Sequence, residues 1–107
     1  MSVPEISVKD LSKKLKAGET PVLLDVREEF ELSISKLEGI THIMDEDVPS
    51  RLAELDPEKE TVIICRTGRR SLAVAEYLIS KGFKQVFNLE GGMNAWAERV
   101  DPSMPVY

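Results

Sequence analysis

Short runs of apolar residues alternate with amphipathic stretches along most of this chain. Two of the runs, residues 21–26 and 61–64, have the length and the aliphatic composition of strands that are buried on both faces. Elsewhere the apolar residues recur at helical spacing, as in a first predicted helix whose Val8, Leu11 and Leu15 share one face. This alternation predicts an α/β fold with a central, mainly parallel sheet flanked by helices.

The pattern assigns the rest of the chain to short elements. In order they are a short helix over 28–34, a short strand near 40–43, a helix over 49–55, a helix over 71–81, a strand over 85–89 and a last helix over 93–99. The inner side of the helix over 71–81 is predicted to carry Leu72, Ala75, Leu78 and Ile79. No repeat or linker interrupts these elements, so we expect a single domain over residues 1–107.

Composition and charge exclude several classes of function. With 107 residues, 42% of them hydrophobic and 31% charged, the sequence is that of a soluble globular protein. Its net charge of -5 argues against nonspecific nucleic-acid binding, which needs a dominant basic surface. No apolar run is long enough to span a membrane, and residues 1–9 have no signal-peptide pattern. We therefore expect a cytoplasmic protein that binds neither membranes nor nucleic acids.

The single cysteine, Cys65, is the strongest candidate for chemistry. One cysteine forms no internal disulfide and no cysteine-rich metal site, and neither a metal nor a cofactor is expected. It directly follows the strand over 61–64 and opens the segment Cys65-Arg66-Thr67-Gly68-Arg69-Arg70-Ser71. A loop that leads from a parallel strand into a helix N-terminus, with three arginines, attracts an anion. A thiolate is such an anion, which favours a reactive Cys65 over a buried core residue.

The other polar residues narrow the chemistry of Cys65 further. Acyl transfer normally needs a base such as histidine, and the only histidine, His42, lies in a different region of the sequence. Internal dithiol chemistry needs a second cysteine, which the sequence does not have. From the residues alone, two options remain open: an anion-stabilised thiolate that acts on sulfur, or one that acts on phosphorus.

Three stretches together resemble the rhodanese family. They are Leu23-Leu24-Asp25-Val26-Arg27-Glu28, the segment over 65–71 and Leu89-Glu90-Gly91-Gly92-Met93-Asn94-Ala95-Trp96. Their order and spacing match one complete domain, and the ending over 100–107 resembles that of rhodanese domains fused to enzymes that activate ubiquitin-like sulfur carriers. The resemblance implies a three-layer fold and a sulfurtransferase. In that family a cysteine takes sulfane sulfur from a donor such as thiosulfate, holds it as a persulfide and passes it to cyanide, a thiol or a sulfur-carrier protein.

The resemblance also assigns roles to the residues of the loop. Cys65 would be the nucleophile, and the backbone amides of 66–71 would surround the terminal sulfur. Arg66 and Arg70 would hold the anionic donor, with Arg69 at the mouth. The complete set of substrate-binding residues that the resemblance implies is Arg66, Thr67, Gly68, Arg69, Arg70 and Ser71.

Two further residues and two kinds of partner follow from the same resemblance. Asp25 and Arg27 would support the loop, although a purely structural salt bridge is the interpretation that their charges favour. The implied partners are a small anionic sulfur donor and a sulfur-carrier or desulfurase protein. Residues 35–40 depart from the Gly-His-Ile-Pro-Gly-like stretch common in the family, in a part that is not catalytic there.

Two alternative functions belong to related proteins of the same fold. Cysteine phosphatases and arsenate reductases have an arginine six positions after the cysteine, and this sequence has Ser71 there. The six-residue loop from Cys65 to Arg70 instead matches the sulfur-handling members. A non-catalytic interaction module is the second alternative, but such members usually lack the cysteine that is present here.

Overall fold

Five parallel strands form one sheet in this computed structural model, which describes residues 3–107. The first two residues of the predicted domain, 1–2, lie outside the described residues. In spatial order the strands are β1 (Glu5–Ile6), β5 (Val86–Leu89), β4 (Thr61–Ile64), β2 (Val22–Asp25) and β3 (Thr41–His42). Every pairing in this sheet is parallel. The predicted α/β fold with a parallel sheet is therefore confirmed.

Helices cover both faces of the sheet and complete a three-layer fold. They are α1 (Val8–Lys16), α2 (Glu29–Leu32), α3 (Arg69–Ser80) and α4 (Gly92–Arg99), with 3-10 turns at Asp45–Asp47 and Pro49–Glu54. Apolar residues of α1 and α4 pack against one face of the sheet, and those of α3 pack against the other face. None of the helices within residues 3–107 is both long and apolar enough to cross a membrane.

Helix α3 differs from its prediction in two respects. It begins at Arg69, two residues earlier than the apolar pattern indicates, because its first turn is made of charged residues. Its buried face is formed by Ser71, Val74, Ala75 and Leu78. Leu72, predicted on the inner side, is instead 39% exposed. One residue step turns a helix by about 100°, so Leu72 lies beside the buried stripe.

The central strands β2 and β4 end at the same edge of the sheet, where the candidate residues Asp25 and Cys65 lie. Ile64, at the end of β4, pairs with Asp25 at the end of β2. On its other side β4 pairs with β5, with Ile63 opposite Asn88. The carboxyl ends of parallel strands meet at the same edge, so Cys65 follows β4 directly between its two neighbours.

Candidate active site

Cys65 lies at the base of a loop whose other residues reach the surface. All four residues of β4 are buried, and Cys65 is 1% exposed. Its side chain is on the face of the sheet that α3 covers. Arg66, Thr67 and Arg69 are exposed above it. Burial alone would suit a core residue, so the polar contacts of the sulfur decide between the two interpretations.

Two polar groups contact the Cys65 sulfur. The backbone N–H of Gly68 donates a hydrogen bond to Sγ over 3.0 Å. The Ser71 Oγ lies 3.2 Å from the same atom. A sulfur that accepts a backbone N–H near the first turn of a helix is in an environment that stabilises negative charge. The sulfur is therefore held by polar contacts, which distinguishes Cys65 from an apolar core residue.

Asn88, from the neighbouring strand β5, holds both groups that contact the sulfur. Its Nδ2 donates to the carbonyl oxygen of Gly68 over 3.1 Å, and also to Glu5 Oε2 over 3.2 Å. The Ser71 hydroxyl donates to its Oδ1. Since Nδ2 is committed to two oxygen acceptors, the orientation of the amide is fixed. Asn88 is 1% exposed, and its hydrogen bonds link strand β5 to both ends of the turn over 68–71.

Two glycines allow the loop to form at this place. Gly68 immediately precedes α3 and has φ +94°, a left-handed conformation that L side chains rarely adopt. Gly92 has φ +58°, and a Cβ there would lie 2.4 Å from the carbonyl oxygen of Cys65. The N-terminus of α4 can therefore approach the loop closely. In this position the N–H of Met93 donates to Cys65 O over 2.9 Å, and that of Asn94 to Arg66 O over 3.0 Å.

The arginines of the loop have different surroundings. Arg66, Thr67, Arg69 and Arg70, which follow Cys65 in the loop, line an open depression of about 470 Å³. Arg66 and Arg69 are exposed, whereas Arg70 donates two hydrogen bonds to Glu31 of α2, over 2.7 and 2.8 Å. The depression is therefore basic, with one of its arginines held by an ion pair.

The ion pair of Arg70 with Glu31 shifts the titration of both groups. The hydrogen bond from Arg70 lowers the pKa of Glu31 from 4.5 to about 2, against a burial effect that acts in the opposite direction. The same hydrogen bond raises the pKa of Arg70. The Glu31 side chain is 5% exposed. The carboxylate is thus charged at neutral pH and fixes the direction of the Arg70 side chain.

Asp25 and Arg27 form a fully buried ion pair beside the loop. Arg27 Nη2 lies 2.8 Å from Asp25 Oδ2, and both side chains are 0% exposed. Arg27 also donates to the carbonyl oxygen of Ser35 over 2.7 Å. His42, the only histidine, lies with its Nε2 2.7 Å from the backbone oxygen of Arg27 and does not contact the thiol. The structure thus places both predicted supporting residues in a salt bridge.

Tyr107 connects the tail of the chain to these groups. Its hydroxyl accepts a hydrogen bond from Arg27 and donates one to Glu31, each over 2.8 Å. Its ring centroid lies 5.0 Å from the Cζ of Arg66, and its main-chain oxygen accepts from the same guanidinium. Burial raises the pKa of the Tyr107 hydroxyl, which therefore remains a donor at neutral pH.

The structure brings together all the residues that the sequence singles out, and adds several more. The added residues are Glu31, Asn88, Gly92, Asn94 and Tyr107. An asparagine within a predicted buried strand is a signal that could have identified Asn88, because a buried amide needs partners. No local pattern distinguishes Glu31 or Tyr107. Within residues 3–107 no cluster of His, Cys, Asp and Glu is arranged to hold a metal ion.

The fold and the loop define a class of small α/β domain in which one thiol lies at the start of an arginine-rich loop that leads into a helix. Residues 7–99 match the model of the rhodanese-like domain. The chain therefore belongs to the rhodanese family, as the sequence resemblance indicated.

Similar proteins cover nearly the same length. A Bacillus subtilis protein named "Putative sulfurtransferase YtwF" is 43% identical over 102 residues, which are 95% of this chain and 98% of that protein. An Allochromatium vinosum protein named "Sulfurtransferase" is 34% identical and covers 89% of each chain. The crystal structure of a rhodanese-related protein from Thermoplasma volcanium has a TM-score of 0.82 at 31% identity, covering 97% of each chain. The fold and the names of these relatives support an activity of the sulfurtransferase type.

Proposed function

We propose that this protein carries sulfane sulfur on Cys65 as a persulfide and passes it to a nucleophilic acceptor. The observation that carries the proposal is the setting of the Cys65 sulfur, which accepts the N–H of Gly68 in a loop whose arginines line a basic depression. Such a setting stabilises a thiolate and admits a small anion above it.

The first half-reaction is a displacement at sulfur. The Cys65 thiolate attacks the outer sulfur of thiosulfate, a new S–S bond forms, and the S–S bond of thiosulfate breaks. Sulfite leaves with the electron pair of that bond, and Cys65 becomes a persulfide anion. The oxygen atoms of the donor carry its negative charge, which Arg66 and Arg70 neutralise, while Arg69 attracts the anion to the mouth.

The loop itself stabilises the product of this step. The backbone amides of 66–71 surround the terminal sulfur, and Thr67 and Gly68 shape the turn that directs those amides inward. Ser71 contributes the hydroxyl that lies 3.2 Å from Sγ. Asp25 and Arg27 keep the end of β2 fixed beside the loop, since both are buried and ion-paired.

The second half-reaction requires an external nucleophile, because the chain has no second cysteine. Cyanide, a small thiol or a thiol of a sulfur-carrier protein attacks the terminal sulfur, the persulfide bond breaks, and the Cys65 thiolate is restored with its electron pair. A desulfurase protein that carries a persulfide can replace thiosulfate as the donor: the Cys65 thiolate attacks its terminal sulfur, and the desulfurase thiolate leaves. We propose that residues 1–107 act as one domain in this cycle and that the cytoplasm, which keeps thiols reduced, is its compartment.

The structure offers no support for phosphatase chemistry. Ser71 occupies the position where a phosphatase loop has its arginine. It is 0% exposed, and its hydroxyl donates to Asn88. A guanidinium is much larger than a hydroxymethyl group and is always charged, so this buried position has no place for the arginine that clamps a phosphoryl group.

The test is intact-mass spectrometry of the reduced protein before and after incubation with thiosulfate. We expect a mass gain of one sulfur atom in the wild type, and its loss, with release of thiocyanate, when cyanide is added. Cys65→Ser is the matched control and should neither gain sulfur nor form thiocyanate, with an unchanged circular dichroism spectrum. Persulfidation that fails with every donor class named above, or activity that persists in Cys65→Ser, would contradict the proposal.

A further inference from the structure

Tyr107 contacts Arg66 directly and is linked to Arg70 through the Glu31 carboxylate. These are the two arginines that the proposed mechanism assigns to the donor anion. The Tyr107 ring lies against Arg66, with 5.0 Å from the ring centroid to Cζ, and its main-chain oxygen accepts from that guanidinium. Its hydroxyl donates to Glu31 Oε1 over 2.8 Å, and Arg70 Nη2 donates to the same oxygen over 2.8 Å. Asn94 holds the backbone of this residue, since its Oδ1 accepts the Tyr107 N–H over 3.1 Å.

The contact with Arg66 restricts a side chain that would otherwise move freely. Arg66 is exposed, and an exposed arginine samples many rotamers, so fixing it costs side-chain entropy. The ring face and the main-chain oxygen of Tyr107 hold the guanidinium in one position. Arginine has five N–H donors, so one donor used by Tyr107 leaves others for a ligand.

The contact of Tyr107 with Glu31 restricts the side chain of Arg70 in the same way. Glu31 accepts two hydrogen bonds from Arg70 and one from Tyr107, so all three side chains hold one another. Arg27 donates to the Tyr107 hydroxyl from the other side, over 2.8 Å. Through these bonds the hydroxyl is linked to the buried pair of Arg27 and Asp25, which is rigid.

We propose that Tyr107 is a positioning residue that pre-arranges Arg66 and Arg70 for the anionic sulfur donor. This inference rests on the proposed function for the identity of the donor. Groups that are held in place before binding lose less freedom when the ligand arrives, so the effect falls on donor affinity and not on the displacement at sulfur. The opposite role, a tail that competes with the donor for Arg66, predicts a change of the opposite sign.

The kinetic test compares Tyr107→Ala and Tyr107→Phe with the wild type, using thiosulfate and cyanide. We expect Tyr107→Ala to raise the KM for thiosulfate about 5- to 20-fold, with kcat changed by less than about twofold. Tyr107→Phe keeps the ring against Arg66 and should raise KM only about two- to fivefold. Val106→Ala is the matched control, because Val106 is the neighbouring residue and is 54% exposed. A KM that is unchanged, or lower, in Tyr107→Ala would overturn the inference.

A double-variant cycle separates positioning from a general loosening of the fold. If Tyr107 acts in part through Arg66, then Tyr107→Ala should cost less in an Arg66→Ala background than in the wild type. A structural effect of the tail would instead add to that of Arg66→Ala. Equal costs in both backgrounds would therefore contradict the proposed role.

Alkylation of Cys65 tests whether Tyr107 positions the arginines, and it does so without requiring sulfur transfer. Iodoacetate is an anion and iodoacetamide is neutral, and both modify the thiolate. Fixed arginines favour the anionic reagent, so the ratio of the two rates should fall about threefold in Tyr107→Ala and stay unchanged in Val106→Ala. If the wild type forms no persulfide, the proposed function fails, and this ratio still decides whether Tyr107 positions the arginines.

Discussion

The hydrogen bonds around Cys65 leave one hydroxyl proton with two acceptors in reach. Ser71 donates to Asn88 Oδ1, yet its Oγ also lies 3.2 Å from the Cys65 sulfur. When the sulfur is a thiol, it can donate to Ser71 while Ser71 donates to Asn88. When the sulfur is a thiolate, it competes with Asn88 for the same proton. The Cys65 thiolate and the neutral Asn88 amide on the neighbouring strand therefore compete for the Ser71 hydroxyl proton.

This balance gives a prediction for Asn88→Asp. The substitution keeps the shape, removes the N–H donors to Gly68 and Glu5, and places a carboxylate beside the Ser71 hydroxyl. Repulsion between the new carboxylate and the thiolate should slow alkylation of Cys65 by neutral iodoacetamide about threefold or more at pH 7. Alkylation rates measure the effect, and the free energy of unfolding is measured alongside it to exclude a partly unfolded variant. A rate equal to that of the wild type in a folded variant would show that Asn88 does not influence the thiolate.

At the scale of elements, the position of α4 against the loop depends on a close backbone approach. The N–H groups of Met93 and Asn94 bind the carbonyl oxygens of Cys65 and Arg66, so those oxygens turn away from the sulfur. A loop whose carbonyl groups are bound to a second helix leaves its own N–H groups free to face an anion. Helix α4 therefore shapes the site, although the polar contacts of the Cys65 sulfur come from Gly68 and Ser71 of the loop and α3.

Gly92→Ala tests this contact between elements. A Cβ at Gly92 would lie 2.4 Å from Cys65 O and 2.6 Å from Arg66 O, so the loop must move. We expect a loss of sulfurtransferase activity of at least about tenfold, together with a loss of stability of about 1–3 kcal/mol. Gly39→Ala is the control, because Gly39 has φ +75° and nothing within 4 Å of its Cβ position. It should lose stability alone, and a comparable loss of activity in both variants would contradict the role of the approach.

The sequence predicts the central elements well because their signal is local. Strands β2 and β4 each contain three consecutive aliphatic residues, and the polar segment after β4 marks the loop. Strand β1 is missed, since two residues, Glu5–Ile6, carry no measurable alternation. The start of α3 is missed because Arg69 and Arg70 give no apolar period. Glu31 and Tyr107 are missed as site residues because their contacts join parts of the chain that no local pattern relates.

At the scale of the whole molecule, the Glu31 carboxylate joins α2, α3 and the tail. It accepts from Arg70, 39 residues further along the chain, and from Tyr107, 76 residues further along. Because its pKa is lowered from 4.5 to about 2 in the folded state, it stabilises the protein above pH 4.5. This contribution is lost as the pH falls from 4.5 towards about 2.

Glu31→Gln should therefore be less stable than the wild type at pH 7 by about 2 kcal/mol, an order-of-magnitude figure for a charged pair with one well-buried partner. The difference should shrink as the pH is lowered through the range from 4.5 to about 2. Urea unfolding at several pH values measures it. Glu54→Gln, which removes the partner of Arg51 in an exposed pair, is the control and should change little. A pH-independent difference for Glu31→Gln would show that the charge of Glu31 is not its contribution.

The residues that contact one another at the site are spread over nearly the whole chain. The Cys65 thiol therefore gains its surroundings only late in folding. Asn88 holds the two groups that touch the thiol, and Tyr107 at the end of the sequence holds the arginines. During synthesis, Cys65 leaves the ribosome well before either of them. Contacts between distant parts of a chain form late in folding. We therefore expect a half-folded chain, in which these contacts have not formed, to present an ordinary thiol, so that sulfur is accepted only once the domain has folded.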